Sequence, residues 1–348
     1  MADIYLDSAA MYPVLPCARE AFANAPFGNP SSEHAFGKAA RDALENAREK
    51  IAKLLDCDRD EIYFTSTATE AAAMALNSMD KSCVYLMATL IEHHAILENQ
   101  RPTSKHANPL HFGYSHILAQ NETGDVFSVK DLHEQSNADL VLVDATAAVG
   151  HIPVSFRELG CDYLIADAIK FGGLSGAAML IAKKDAPLSP LIRGGGQERG
   201  MRSGTENVPA ICAMAAALEW QIEHMEENTA KLSDMYEYLL NKFEEFDGAH
   251  INAPRPDHLP HILNISFDGV DAHALVLLLS QQGVMVSAGA ACSNGLNEPS
   301  HVLMAIYHDE ARARSAIRIS LSHENTIDEC IEAANKISAS VAYLRRIS

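Results

Sequence analysis

Positive charge is scarce in this chain. Its 27 lysines and arginines stand against 46 aspartates and glutamates, a formal net charge of −19. Such a chain repels a polyanion unless a local basic patch offsets the charge, and no such patch is visible outside the glycine-rich stretch 193–202. Nucleic acid is therefore excluded as a partner. Long apolar runs are also missing. None approaches the ~18 residues of a membrane-spanning helix, so no membrane span is expected. The opening MADIYLDSAAMYP has no basic stretch leading into an apolar one, which argues against a secretory leader. No C-x-x-C pair occurs. The cysteines are Cys17, Cys57, Cys83, Cys161, Cys212, Cys292 and Cys330. An odd, scattered set argues against a disulfide framework or a zinc site and suits a reducing, cytoplasmic setting. No repeat, low-complexity tract or long linker is present.

What is present is a chain of 348 residues, 48% hydrophobic, enough for two domains with packed cores. Residues 38–55 carry apolar positions at helical spacing. Short buried strands are expected at 61–65, 84–88, 140–144 and 162–166. Strands alternating with helices predict an α/β fold with a mostly parallel sheet covered by helices on both faces. The stretch 176–182 follows the tight FGGLS turn too closely for a helical crossover, so it is expected to run antiparallel to its predecessor. A long helical pattern, 213–246, leads out of the sheet. A smaller α+β domain follows, with strands at 262–267, 283–289 and 316–322 and a helix, AHALVLLLSQQ, between the first two. The expected division is a large domain, 13–235, and a small one formed by 1–12 with 236–348.

In open parallel sheets, ligands bind beyond the carboxyl ends of the strands. The reactive residues expected there are Glu92, His93 and His94 after one strand, Asp144 after another, and Asp167 to Lys170 after a third. An acid, a histidine and a lysine on one rim would suit pyridoxal phosphate. The lysine holds the aldehyde, a carboxylate keeps the pyridine nitrogen protonated, and a flat side chain stacks on the ring. Thr67-Ala-Thr-Glu70 has capping-box spacing ahead of an apolar helical stretch. The N–H groups of Ala68 and Thr69 would then open a helix, a ready anion site. Each residue alone has a plainer reading, as a helix cap, a surface histidine or a solvated lysine.

Taken together, the segments resemble the cysteine desulfurases. The resemblance runs through IYLDSAA, FGNPSSEHAFGKAAR, EIYFTSTATEAAAMAL, IEHHAIL, QNETG and VDATAAVGHIPV. It continues through RGGGQERGMRSGTENVPAICAMAAALE, SAGAACSNGLNEPSHVL and AIRISLS. It implies the aspartate-aminotransferase-like architecture (pyridoxal-phosphate fold type I), with a seven-stranded type of sheet. It implies pyridoxal 5'-phosphate as cofactor, no metal, L-cysteine as substrate, a sulfur-acceptor protein as partner and a homodimer. Lys170 would hold the cofactor covalently, His93 stack on its ring, Asp144 pair with the ring nitrogen and Asn121 bond its hydroxyl. Ala68 and Thr69 would hold the phosphate, with Thr205 reaching it from the other subunit. Asn29 and Arg318 would grip the substrate carboxylate, a task suited to a planar guanidinium. Cys292 would take the sulfur as a thiolate on a small, polar, glycine-containing loop.

The chain departs from the family pattern at four places. Asp167 stands where a phosphate-binding serine is expected, and Ile169 replaces a histidine ahead of the lysine. Ala147 replaces a glutamine near the ring hydroxyl. Thr67 replaces a glycine of the phosphate cup, and Ala71 to Ala73 replace its polar followers. A carboxylate beside a phosphate is repulsive unless protonated or turned away. These departures predict a divergent member with weaker or rearranged cofactor binding. They keep in view a selenocysteine lyase, another class-V aminotransferase-type enzyme, or a non-catalytic paralogue. The short stretch after the last helix argues against the usual scaffold docking.

Overall fold

The computed structural model describes residues 3–83, 85–100, 112–129, 136–253, 256–289 and 298–347. Two compact units are formed. The larger comprises 13–118 with 127–224, and the smaller comprises 1–12, 119–126 and 225–348.

The larger unit is built on a sheet that numbers six strands among the described residues, against the seven of the expected type. Their spatial order is Ile62–Thr65, Ala178–Ala182, Tyr163–Asp167, Leu140–Asp144, Phe112–Ile117 and Tyr85–Ala88. The last four run parallel, and Ala178–Ala182 runs antiparallel to both its neighbours. The FGGLS turn thus reverses the chain, as its shortness requires. LVLVD, YLIAD and AMLIA are buried at every position. Their unbroken apolar runs follow from a sheet covered on both faces.

Helix Ala35–Leu54 buries one stripe, Ala40, Leu44, Ala47 and Ile51, and is capped by His34, whose Nδ1 accepts the N–H of Gly37. It packs on helix Val208–Glu223, whose buried face includes Ala210, Ala213, Ala215 and Ala217, small side chains that permit close approach. Gly37 lies under the turn that carries Asn29. An added Cβ there would collide with Ser32 and come within 2.8 Å of the Asn29 carbonyl.

The long helical pattern at 213–246 resolves into two helices, Val208–Glu223 and Met225–Glu244. The break falls on His224, whose Nδ1 bonds the Trp220 carbonyl at 2.8 Å while its ring stacks on Trp220. No proline or glycine marks it, which is why the apolar periodicity reads straight through.

In the smaller unit, strands Ser287–Ala288, Ala316–Ser320, Ile262–Phe267 and Ala249–Ile251 form an antiparallel sheet in that order. Ile4–Tyr5 pairs in parallel with Val284–Met285. The expected strand 283–289 is therefore two short pieces, each joining a different sheet. The core gathers Leu6, Leu239, Phe243, Phe267, Leu275, Ile317 and Ile337. Phe243, Phe246 and Phe267 meet edge to face.

Candidate active site

Asp144 and Asp167 end neighbouring parallel strands, with Asp144 paired to Ile165 and Asp167 two residues farther along. Both carboxylates are buried, at 4% and 6% exposure. Glu92 is fully buried as well, and accepts the Ser115 hydroxyl at 3.0 Å. Burial, with the Asp144 charge nearby, pushes Glu92 well above the usual carboxylate range. Asp144 itself accepts the N–H of Thr146 at 2.9 Å. The buried hydroxyl of Thr146 has no hydrogen-bond partner among the described residues.

Lys170 closes the 3-10 turn Ala168–Lys170 that follows Asp167. Its carbonyl accepts the Nε2–H of His151 at 2.8 Å. Burial pushes His151 down to about 4, so the ring stays neutral and keeps this bond. The Lys170 charge is felt at Asp167. One unit thus brings Glu92, Asp144, Asp167 and Lys170 together. His93 follows Glu92 directly and caps the short helix His94–Leu97, its Nδ1 accepting the N–H of Ala95 at 3.1 Å. That bond leaves the proton of a neutral ring on Nε2.

Thr67 caps helix Ala68–Ser82, its hydroxyl accepting the N–H of Glu70, and Glu70 in turn accepts the N–H of Ser66 at 2.9 Å. The Thr67 half of the expected capping box is present, Glu70 reaching Ser66 and not the Thr67 N–H, and the anion at this helix start is internal. Asp167 Oδ2 accepts the Ala68 N–H at 2.9 Å. Oδ1 takes the N–H of Ile169 at 3.3 Å. Burial raises the Asp167 pKa, outweighing these two bonds and the Lys170 charge. Thr69 is exposed.

The glycine-rich stretch is pinned by two ion pairs that sequence reasoning missed. Arg202 pairs with Glu70 at 2.7 Å. Burial opposes ionisation of Glu70, but hydrogen bonds from Arg202 and Ser66 outweigh it and hold the carboxyl below its usual range. Arg48 forks onto Glu198 at 2.7 and 2.9 Å, both side chains almost wholly buried. Thr205 is exposed and lines a cavity of about 180 Å³ with Thr65, Ser66, Arg202 and Asn207. Asn29 is exposed on its turn, its Oδ1 accepting the Ser31 N–H at 3.0 Å.

Asn121 and Arg318 belong to the smaller unit. Arg318 is buried, donates to the Asn121 carbonyl at 2.8 Å and pairs with Asp7 at 2.7 Å. Its Nε has no hydrogen-bond partner among the described residues. Cys292 lies outside the described residues. The other six cysteines are free, and burial raises every one of their thiol pKa values: Cys83 to about 11, and Cys57 and Cys330 to about 12.

The class-V aminotransferase family model matches residues 4–108 and 114–332. Cysteine desulfurase IscS of Dictyoglomus turgidum is 35% identical over 379 aligned positions, covering 99% of this chain and 96% of that protein. The chain belongs to the class-V aminotransferase family and, within it, to the cysteine desulfurases. A solved NifS-like protein superposes on this desulfurase with a TM-score of 0.87 at 32% identity, covering 98% of this chain and all of the other. A structure of SspA in complex with cysteine superposes with a TM-score of 0.76 at 26% identity, covering 93% of this chain and all of that one. The α/β fold is that of these proteins. Among the described residues no helix is long and apolar enough to cross a membrane.

The two ends of the site answer pyridoxal phosphate differently. At the pyridine end, a buried acid, an orphaned buried hydroxyl and a lysine on a strand-end turn suit the ring and its aldehyde. At the phosphate end they do not. The Ala68 N–H is taken by Asp167, and the nearby guanidinium of Arg202 is taken by Glu70.

Proposed function

We propose that this chain is a pyridoxal-phosphate-dependent cysteine desulfurase that converts L-cysteine to L-alanine and passes the sulfur, through Cys292, to an acceptor protein. The observation that carries the reading is the assembly of Lys170, Asp144 and Glu92 at the strand ends of a chain related to cysteine desulfurases over its full length. The SspA structure holding cysteine supports the choice of substrate.

When bound, the cofactor supplies an electron sink for the amino acid carbon skeleton. The chain's own residues have separate tasks. The Lys170 amine holds the aldehyde, and the Asp144 carboxylate holds a proton on the ring nitrogen. His93 stacks on the ring and moves protons through Nε2. Asn121 bonds the ring hydroxyl. Ala68 and Thr69 mark the phosphate end, with Thr205 of a second copy in a homodimer. Arg318, whose guanidinium charge is balanced by Asp7, and Asn29 receive the substrate carboxylate. The Cys292 thiolate takes the sulfur as the substrate carbon–sulfur bond breaks. The electron pair stays with the carbon fragment, which leaves as alanine after protonation. Elimination supports Cys292, because burial suppresses the thiolate at all six other cysteines. Six free thiols also suit a reducing cytoplasm.

The test is turnover of L-cysteine and L-selenocysteine by the full chain with added pyridoxal phosphate. Alanine from cysteine with matching sulfide supports the desulfurase. Turnover of selenocysteine alone would replace it with a selenocysteine lyase.

A further inference from the structure

The start of helix Ala68–Ser82 is the anion site the sequence leads one to expect. Three features meet there. The Asp167 carboxylate is buried and its Oδ2 sits on the Ala68 N–H at 2.9 Å. The Thr67 hydroxyl accepts the Glu70 N–H and keeps its own proton to donate. Arg202 donates from Nε and Nη2 to Glu70, and from Nη2 to Ser66, so its charge is answered already. A phosphate dianion arriving here would find the Ala68 N–H taken by Asp167 and the Arg202 charge paired with Glu70. Like charges in a partly desolvated site repel strongly, and a helix N-terminus already holding an anion has little left for a second.

Resting on the cofactor reading above, we propose that Asp167 is a built-in substitute for the cofactor's phosphate, so that this chain does not favour the phosphorylated aldehyde over pyridoxal itself. The aspartate comes from the strand end that leads directly into Lys170. The group that fills the anion position and the amine that holds the aldehyde are therefore fixed by one short turn. The competition depends on charge. Burial favours the neutral form of Asp167, and a neutral carboxyl donates to a phosphate oxygen instead of repelling it. The relative affinity for the phosphate ester therefore rises as pH falls and declines as Asp167 ionises.

The experiment titrates full-length wild type, Asp167→Ser and Asp167→Asn with pyridoxal and with pyridoxal 5'-phosphate. Bound aldehyde is trapped on Lys170 by borohydride and counted by mass, with Lys170→Ala to subtract adducts on other lysines. The quantity read is the ratio of the two dissociation constants. Any general effect of Asp167 on the Lys170 amine acts on both aldehydes and cancels in that ratio. The ratio is expected to shift toward the phosphate ester by about tenfold or more in Asp167→Ser, one charge–phosphate interaction. Asp167→Asn, which keeps the shape and can still accept the Ala68 N–H, shifts it in the same direction. A smaller shift in both variants overturns the proposal while leaving the cofactor reading intact. Failure of either aldehyde to reach Lys170 in all three proteins overturns the cofactor reading, and the proposal with it.

Discussion

Asp167 and Ala68, 99 residues apart in sequence, are joined by a hydrogen bond of 2.9 Å from the Ala68 N–H to the Asp167 carboxylate. The bond ties the strand that delivers Lys170 to the helix whose N-terminus would otherwise face an outside anion. The Ala68 donor at that helix start is therefore met from inside the chain.

The Arg48–Glu198 pair is expected to dominate the stability of the glycine-rich stretch. Glu198 also accepts the N–H of Phe64, and Arg48 also donates to the Ile62 carbonyl. Removing one partner leaves a buried charge uncompensated, so Glu198→Ala is expected to cost about 3–5 kcal/mol in urea unfolding. The double variant Arg48→Met/Glu198→Leu should cost less than Glu198→Ala alone. A single-variant cost below about 1 kcal/mol, the range of an exposed pair, would contradict the buried geometry.

Glu92 gives the fold a predictable response to pH. Its folded pKa is raised by burial and by Asp144. Below the ordinary glutamate pKa both folded and unfolded chains carry the proton, and Glu92 adds no pH dependence. Above it the unfolded chain gains by ionising while the folded chain does not. Stability then falls by up to about 1.4 kcal/mol per pH unit until the folded pKa is reached. Glu92→Gln, neutral throughout, removes that fall. Its stability relative to wild type should therefore rise as the pH climbs above the ordinary glutamate pKa. A difference flat across that range would show that Glu92 is ionised in the fold.

Thiol reactivity is expected to separate Cys292 from the rest. Burial disfavours the thiolate at Cys17, Cys57, Cys83, Cys161, Cys212 and Cys330. Brief iodoacetamide treatment of the native protein, followed by peptide mass analysis, should label Cys292 at least about tenfold faster than any other cysteine. Faster labelling of Cys17 or Cys57 would move the nucleophile elsewhere.

Much of this was legible in the sequence because it follows from period and punctuation. LVLVD and DYLIA read as buried strands; the second lies one residue farther along, at Tyr163–Asp167, so that each ends in a carboxylate that the fold buries beside the other. The FGGLS turn announced its antiparallel strand. The capping box at Thr67 read correctly as a helix start. What stayed hidden depends on partners far apart in the chain. Arg48 and Glu198 are 150 residues apart, and nothing near either one announces the other. The Asp167 substitution was visible as a conflict with phosphate, but its resolution, a hydrogen bond to the Ala68 backbone, needed coordinates. The break at His224 was silent because a side-chain bond to the Trp220 carbonyl makes it, without glycine or proline.

The desulfurase reading requires Lys170 and Cys292 to act together on cysteine. Its most direct test is a single assay of alanine and sulfide released from L-cysteine in the presence of pyridoxal phosphate and a thiol reductant, for wild type, Lys170→Ala and Cys292→Ala. Equal alanine and sulfide are expected from wild type, with loss of both by about a hundredfold or more in each variant. Wild-type rates in Cys292→Ala, or turnover that survives in Lys170→Ala, would contradict it.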